Sequence, residues 1–354
     1  MSAPYETHRR QLELILRAWH MPPVNAAITA EIMAWADLHG IDSHGISMIP
    51  AYDERRRSGK ISMTAQPRVI HDTPVAALVD GGGGLGHVNS HYAMNLAISK
   101  ARTTGIGIAG VRNSAHFGAC GYYAKMAADA GFIGLVTTSA SGIQVAPTGG
   151  AQARYGTDPI AFAAPAHDGE PFLLDMATTT VAAGRIRNKA NEGQPTPPGW
   201  LVTKEGQPST DPQEASQKGG FLTPLGGTAD GSSHKGYGLA AMVNILAAAL
   251  TGATLPTDPA HTKQPGTMGI GHFFMAIQIG LLRDPADVKA DIAAFCDALR
   301  ATTPMDPNSP VMVAGDPERR NAARRMQAGI PVGPNLRAHV KAVAEASGAE
   351  WVMG

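Results

Sequence analysis

Cysteine is nearly absent from this sequence: 354 residues hold two, Cys120 and Cys296. Two cysteines cannot build a disulfide framework, nor a cysteine-based zinc site without help from histidine. Neither sign of charge is in excess. Lys plus Arg and Asp plus Glu number 29 each, a formal net charge of zero. That balance excludes a strongly electrostatic nucleic-acid or membrane-surface partner. Long apolar runs are missing too. The longest, residues 237–253, is interrupted by Asn244 and falls short of the ~18 unbroken apolar residues of a spanning helix, so it predicts a buried helix. The first twenty residues contain no apolar core flanked by a cleavage site. The expectation is a protein of the cytoplasm, of one large or two ordinary domains.

What is abundant is glycine and proline, 41 and 26 residues, above their usual ~7% and ~5%. This chain turns often and brings backbone close to something. Leu12, Ile15, Leu16 and Trp19 recur at helical spacing before Pro22-Pro23. A second helix is predicted over 25–38, stopping at Gly40, and a third through Tyr52 to about Ser58. From Arg68 the texture becomes α/β. Residues 69–80 read as strand, 81–86 as a glycine turn and 90–104 as helix. Short β-rich runs follow at 105–113, 132–140, 160–166 and 171–177, then helices at 236–250 and 288–300 around a strand at 272–280. The tail from Asp316 reads as helix closed by a short polar segment.

Gly81, Gly83 and Gly86 spell G-x-G-x-x-G between a strand and a helix, the setting of a dinucleotide fingerprint. That fingerprint wants an acidic residue ~20 positions on, and none occurs between Lys100 and Ala128. The glycines read better as a close strand-to-helix connection.

Several polar clusters carry chemistry-bearing residues. Asp42-Ser43-His44-Gly45 offers a histidine suited to proton transfer beside a relaying hydroxyl, or simply a helix cap. Residues 113–122 place His116 at a strand-to-helix junction, where α/β proteins bind ligands; a core histidine satisfied by backbone reads equally well. Cys120 reads as a packing residue. Thr137 to Ser139, the Gly156-Thr157-Asp158-Pro159 turn and Asp175-Met176-Ala177 at a strand end suit ribose and phosphate, or are ordinary turns. Ser233 to Gly236 sets Lys235 at a helix start near Gly226-Gly227, a phosphate cradle in type. The single H-x-x-x-H pair, His87 and His91, lacks the glutamate of a zinc protease and reads as surface or capping residues. No metal is expected.

In their order along the chain, the Asp42–Gly45 turn, the Asn113–Ala124 segment, residues 145–150 and 155–165, residues 173–179, Pro224–Gly227 and His234–Ala240 resemble the malate/L-lactate dehydrogenase family. That family includes sulfolactate, ureidoglycolate and diketogulonate dehydrogenases and piperideine carboxylate reductases. The resemblance spans about Ala27 to about Val332. It implies NAD(P)-dependent hydride transfer between a 2-oxo acid and a 2-hydroxy acid, and a homodimer. It also implies a non-Rossmann α/β fold, a largely antiparallel central sheet packed against a helical domain built from both termini. The parts are then 1–70 (N-terminal helical), 71–284 (cofactor-binding and catalytic) and 285–354 (C-terminal helical).

The resemblance carries roles to single residues. His44 is the proton donor with Ser43 as relay, and His116 is either the acid/base or part of the nicotinamide pocket. Met48, Tyr52, Thr157 and Arg185 line the substrate. His116, Phe117, Gly118, Ser139, Asp175, Met176, Ala177, Lys235, Gly236, Gly315 and Asp316 contact NAD or NADP. Two departures stand out. Family members commonly carry an arginine shortly after Ser-His-Gly to pair with the substrate carboxylate; here it is Met48, leaving Arg154 and Arg185 as candidate anchors. Asp158 replaces the usual Asn and suggests a cationic substrate group. The alternatives are a reductase of a cyclic imine or of a ketone lacking that carboxylate contact, or a relative that only binds ligand. The imine-reducing branch carries Asp where this chain has Arg185, which weighs against it.

Overall fold

A computed structural model describes residues 2–140, 142–167, 170–257 and 267–354. Strand β1 (Ser2–Ala3) and helices α1 (Tyr5–Ala18), α2 (Pro23–Leu38) and α3 (Ile49–Arg57) open the chain, with a 3-10 turn over Ile46–Met48 leading into α3. Pro22-Pro23 ends one helix and starts the next, since proline fits a first helical turn and breaks an interior one. The central region holds β2 (Arg68–Asp72), β3 (Ala76–Gly84), α4 (Gly86–Thr104), β4 (Ile106–Ser114), α5 (Cys120–Asp129), β5 (Phe132–Thr138), β6 (Ile160–His167) and β7 (Glu170–Met176). Next come α6 (Ala183–Asn191), the short strands β8 (Leu201–Val202), β9 (Pro208–Ser209) and β10 (Phe221–Leu222) with α7 (Glu214–Gln217) between them, then α8 (His234–Asn244) and β11 (Ile270–Gln278). Helices α9 (Pro285–Arg300), α10 (Asp316–Ala328) and α11 (Pro334–Ser347) follow, with β12 (Ile330–Pro331) between the last two.

The main sheet has seven strands in the order β2-β3-β4-β11-β5-β6-β7. Only β3 and β4 run parallel; every other neighbouring pair is antiparallel. The central sheet is thus largely antiparallel, as expected. Helices α4 and α5 bury Met94, Ala97, Tyr123 and Ala127 against Val111, Val136 and Phe274 of the sheet. A second core joins the two ends of the chain: Leu12, Ile15, Leu16 and Trp19 pack with Ile49 and Tyr52 and with Val340 and Ala344 from α11. Strands β1 and β12 pair across the same junction. A third, smaller core gathers Val145, Tyr155, Ile186, Leu201, Leu222 and Ala240.

Two expectations are corrected here. Residues 81–84 are not a turn but the end of β3, with Gly82 and Gly83 at φ +60° and +71° and a register slip against β4 between Asp80 and Gly84. The glycine need is steric: a Cβ on Gly86 would lie 2.2 Å from the Ala115 carbonyl oxygen, so α4 starts against the chain that leaves β4. The tail does not end in a polar segment; after α11 the last residues return Trp351 and buried Met353 to the terminal core, beside Val340 and Ala344.

One sheet end collects the segments of interest. Gly84 pairs with Ser114, Ser114 with Ile270, His272 with Thr138, Thr137 with Ile160, and Ile160 with Met176. The starts of α4 and α5, the 139–140 turn, Thr157 and Asp175–Ala177 therefore all leave the sheet on one side.

Candidate active site

The first turn of interest, Asp42 to Gly45, is clamped from both ends of the chain. Asp37 on α2 is almost fully buried, and its Oδ2 lies 2.7 Å from His8 Nε2 and accepts the Ile46 N–H at 2.7 Å. Arg325 on α10 donates to the Asp37 carbonyl and to both carboxylate oxygens of Asp42. Gly45 has no room for more, since a Cβ there would meet the Asp37 carboxyl at 2.0 Å. This is the physical reason helices from both termini converge on the turn.

The clamp sets Ser43 Oγ 2.8 Å from His44 Nδ1. The His44 ring stacks on His116 with centroids 5.3 Å apart and planes 24° from parallel. His116 Nδ1 lies 2.6 Å from the Tyr52 hydroxyl and accepts the Gly118 N–H at 3.4 Å. Burial pushes the Tyr52 hydroxyl well up despite the opposing charge of Arg55, so it stays protonated and donates. With two donors on Nδ1, the neutral His116 ring carries its proton on Nε2. Burial also pushes His44 down to about 4 and His116 well below its ordinary value, the latter reinforced by His44, His87 and Arg55. Both rings are neutral at pH 7.

Two further histidines lie behind them. His272 is fully buried and stacks on Phe117 at 4.7 Å. Its Nε2 is 2.9 Å from Ser114 Oγ and its Nδ1 2.6 Å from Thr138 Oγ1, so it is a satisfied core residue. His87, read from sequence as a surface or capping residue, is instead fully buried at the start of α4, packs edge-on against Tyr52, and has no partner for either ring nitrogen among the described residues. The polarity of the α4 start gave no sign of this, because burial there comes from Gly118 and Tyr52, distant in sequence.

The other expected residues fall along the same sheet end. The stretch 116–121 leads from His116 to Gly121, whose N–H donates to Asp175 Oδ2 at 2.7 Å. The Asp175 side chain reaches the surface at the end of β7, yet surrounding protein pushes its carboxyl up to about 6, against the Gly121 hydrogen bond. Its Oδ1 has no partner among the described residues. The Phe117 ring is buried between Tyr123 and His272, and its carbonyl accepts the Tyr123 hydroxyl. Gly118 takes φ +79° with its α-carbon against His87. Ser139 Oγ accepts the Gly271 N–H at 3.2 Å. The Thr157 carbonyl accepts the Thr178 N–H at 3.0 Å, beside Met176 and Ala177. Leu225 N–H donates to the Thr178 carbonyl, and Gly236 packs against Leu225 so closely that a Cβ would lie 2.4 Å from its backbone. Lys235, next to it, is exposed and makes no ion pair among the described residues.

Gly315 packs on Leu173 of β7 through the Ala314 carbonyl. The Asp316 carboxylate, however, is taken by Arg300, Arg319 and the Val313 N–H. Burial raises its pKa, but these partners overcome that and hold it at about 2. Asp158, expected to face a cationic substrate group, is fully buried with φ +35° and accepts from Ala140 N–H at 2.8 Å and Asn244 Nδ2 at 2.7 Å. Both oxygens are used within the fold, which overturns that expectation. Met48 packs into the terminal core, and Arg154 and Arg185 are exposed with no contact to the histidines. Asp37, His8 and Arg325, absent from the sequence reading, are the clamp; no local motif marks them.

The groups at this sheet end suit a ligand carrying hydroxyl donors and an anion. They are the Asp175 carboxylate oxygen without a partner among the described residues, the exposed Lys235 ammonium, and glycine backbone at 118 and 121. Among the described residues no helix is long and apolar enough to cross a membrane. Two concavities, one bounded by Arg112, Asn113 and Thr254 and one by Val332, Pro334 and Arg337, share no lining residue with the histidine set.

Comparison with known proteins sets this arrangement in context. The family model described as malate/L-lactate dehydrogenase matches residues 3–341. The malate dehydrogenase of Pyrococcus horikoshii is 37% identical over 337 residues, covering 95% of this chain and 92% of that protein. The L-sulfolactate dehydrogenase of Methanothermobacter thermautotrophicus is 35% identical, covering 93% and 92%. The crystal structure of malate dehydrogenase from Entamoeba histolytica superposes with a TM-score of 0.94 at 31% identity, covering 99% of each chain.

Proposed function

The chain belongs to the malate/L-lactate dehydrogenase family, and from that premise we propose that it interconverts a 2-oxo acid and a 2-hydroxy acid with NAD or NADP, using His44 and His116 on the reacting oxygen. It is an oxidoreductase acting on a CH–OH group. The observation that carries the catalytic reading is the stacked, neutral pair, His44 on Ser43 and His116 on Tyr52.

When bound, the nicotinamide supplies the hydride acceptor or donor. The chain's own residues manage the proton and the geometry. His116, with its proton on Nε2, donates a hydrogen bond to the substrate oxygen. His44 gives its Nδ1 proton to Ser43 Oγ in a hydrogen bond and keeps Nε2 free to take the hydroxyl proton during oxidation. Its lowered pKa leaves Nε2 unprotonated at neutral pH and so available to accept that proton. In reduction the same nitrogen delivers to the forming alkoxide a proton it takes up from solvent. For bound NAD or NADP, Asp175 Oδ1 would be the acceptor for a ribose hydroxyl and Lys235 the partner for phosphate, with Ser139, Gly118, Met176, Ala177, Gly236 and Gly315 as the further contacts at the same sheet end. On this reading the cofactor would lie along one end of the largely antiparallel sheet, outside a Rossmann frame. The assembly we expect from the family is a homodimer.

The test is oxidation of NADH and of NADPH, followed by absorbance, against pyruvate, oxaloacetate, sulfopyruvate, a diketo sugar acid and a cyclic imine. Turnover of one 2-oxo acid is expected. Turnover of the imine alone replaces this reading with an imine reductase. Cofactor binding without turnover of any acceptor leaves a ligand-binding relative.

A further inference from the structure

Three consecutive arginines close α3, and the fold treats them differently. Arg56 Nη2 lies 2.6 Å from Asp53 Oδ1 and its guanidinium covers the Trp19 ring at 4.8 Å. Arg57 Nε lies 3.0 Å from Asp53 Oδ2. Arg55 forms no ion pair and no side-chain hydrogen bond among the described residues, yet its Nη1 is buried. A guanidinium nitrogen removed from water and given no acceptor is costly. It is expected where an anion arrives later.

The position of Arg55 says which anion. Helical side chains lean toward the helix N-terminus and cover the preceding turn. Arg55 lies one turn after Tyr52 on α3, on the side of the helix that continues back toward its cap, Met48. The Tyr52 hydroxyl is itself 2.6 Å from His116 Nδ1. The charge of Arg55 is felt at both groups, lowering the Tyr52 and His116 pKa values. Met48 on that face offers neither charge nor donor. The other cations considered, Arg154 and Arg185, are exposed, and Arg154 is engaged by Gln152 at 2.6 Å. Asp53, the acidic neighbour on α3, is taken up by Arg56 and Arg57.

We propose that Arg55 binds the carboxylate of the 2-oxo or 2-hydroxy acid, holding its reacting carbon beside the His44–His116 pair in place of a cation at position 48. This rests on the functional reading above and deepens it. A guanidinium grips both oxygens of a planar carboxylate at once, a match that an ammonium lacks. The site is thereby selective for acids over uncharged ketones.

Arg55→Gln and Arg55→Lys are compared with the native protein, using the 2-oxo acid of best turnover, its methyl ester, and oxamate as a non-reacting acid. Arg55→Gln raises KM for the acid by roughly 10- to 100-fold, with Arg55→Lys in between. The methyl ester is used equally by native protein and variant, and the NADH dissociation constant stays unchanged. Oxamate raises the melting temperature of the NADH-loaded native protein and not that of Arg55→Gln. An unchanged KM for the acid, an equal loss on acid and ester, or an equal oxamate response overturns the assignment. If Arg55→Gln does not fold, Arg55→Lys with native KM and native oxamate response does the same. If no 2-oxo acid turns over at all, the functional reading falls while the oxamate comparison still decides Arg55.

Discussion

The Tyr52 hydroxyl sits 2.6 Å from Nδ1 of His116, joining a helix near the N-terminus to the turn that follows β4. Burial keeps that hydroxyl protonated, so it acts as a donor. The Gly118 N–H adds a second, longer donor at 3.4 Å to the same nitrogen. The tautomer of a candidate catalytic ring is therefore fixed by a residue 64 positions away in sequence. The ring is left presenting N–H, not a lone pair, from its other nitrogen.

Tyr52→Phe keeps the packing against His87 and removes only the hydroxyl. Losing one short hydrogen bond of about 1 kcal/mol lowers kcat roughly tenfold and leaves the NADH dissociation constant unaltered. Native kcat in this variant means that something else sets the His116 tautomer.

His44→Ala removes the group that moves the proton. A positioned general acid or base contributes about 10²- to 10⁴-fold, so kcat falls in that range with cofactor affinity retained. Steady-state kinetics beside NADH fluorescence titration reads both quantities. An equal loss from His116→Ala and not from His44→Ala reverses the two roles.

Gly45→Ala tests the clamp. The added methyl would lie 2.0 Å from the Asp37 carboxyl, in a site where Asp37 also holds His8 and the Ile46 N–H. Overpacking of this kind costs about 1–3 kcal/mol, so the urea midpoint drops. Activity drops further than stability, because the turn carrying Ser43 and His44 moves. Native activity in a destabilised Gly45→Ala would separate the clamp from catalysis.

The parts of this fold legible in the sequence are those written locally. Helical spacing from Leu12 to Trp19 and the apolar runs that became β4 to β7 report burial of their own faces, and the structure agrees to within a few residues. The order of strands was not legible. β11 lies between β4 and β5 although more than 130 residues separate it from either, and nothing in an alternating run names its partner. The site shows the same division. Ser43, His44 and His116 stood out as polar residues at turns. Asp37 and Arg325 did not, because each lies within an ordinary helix and gains meaning only where α2 and α10 meet. His87 was misread for a related reason: its neighbours Tyr52 and Gly118 come from distant segments.

Asp158→Asn leaves substrate preference unchanged, since the carboxyl is enclosed by the Ala140 N–H and Asn244. The variant is instead less stable. Both oxygens accept from donors, and an Asn amide must turn its NH₂ toward one of them. A mismatched buried pair costs about 1–3 kcal/mol. A changed ratio of kcat/KM between two acceptors, with native stability, would restore a substrate role for this residue.

Stability should fall as the solution is acidified from about pH 6.5 to about pH 4, an expectation set by the buried histidines. Burial lowers His44 to about 4 and His87 and His272 to about 3, with His116 well below its ordinary value. In that window the unfolded chain binds protons at these rings and the folded chain does not, so acid favours unfolding. Asp158 and Asp175 act in the opposite sense. Each is raised to about 6, Asp158 by full burial and the surface-reaching Asp175 by desolvation from the protein around it, so the folded protein takes up their protons first. The histidines are more numerous, and the net effect is loss of stability on acidification. His87 is the cleanest probe, fully buried, with both ring nitrogens unpartnered among the described residues. His87→Leu should remove about one proton from the linkage, flattening the curve by about 1.4 kcal/mol per pH unit. Urea midpoints for native protein and variant between pH 7 and pH 4.5 measure this directly. Parallel curves would mean that His87 is protonated in the folded state and has a partner after all.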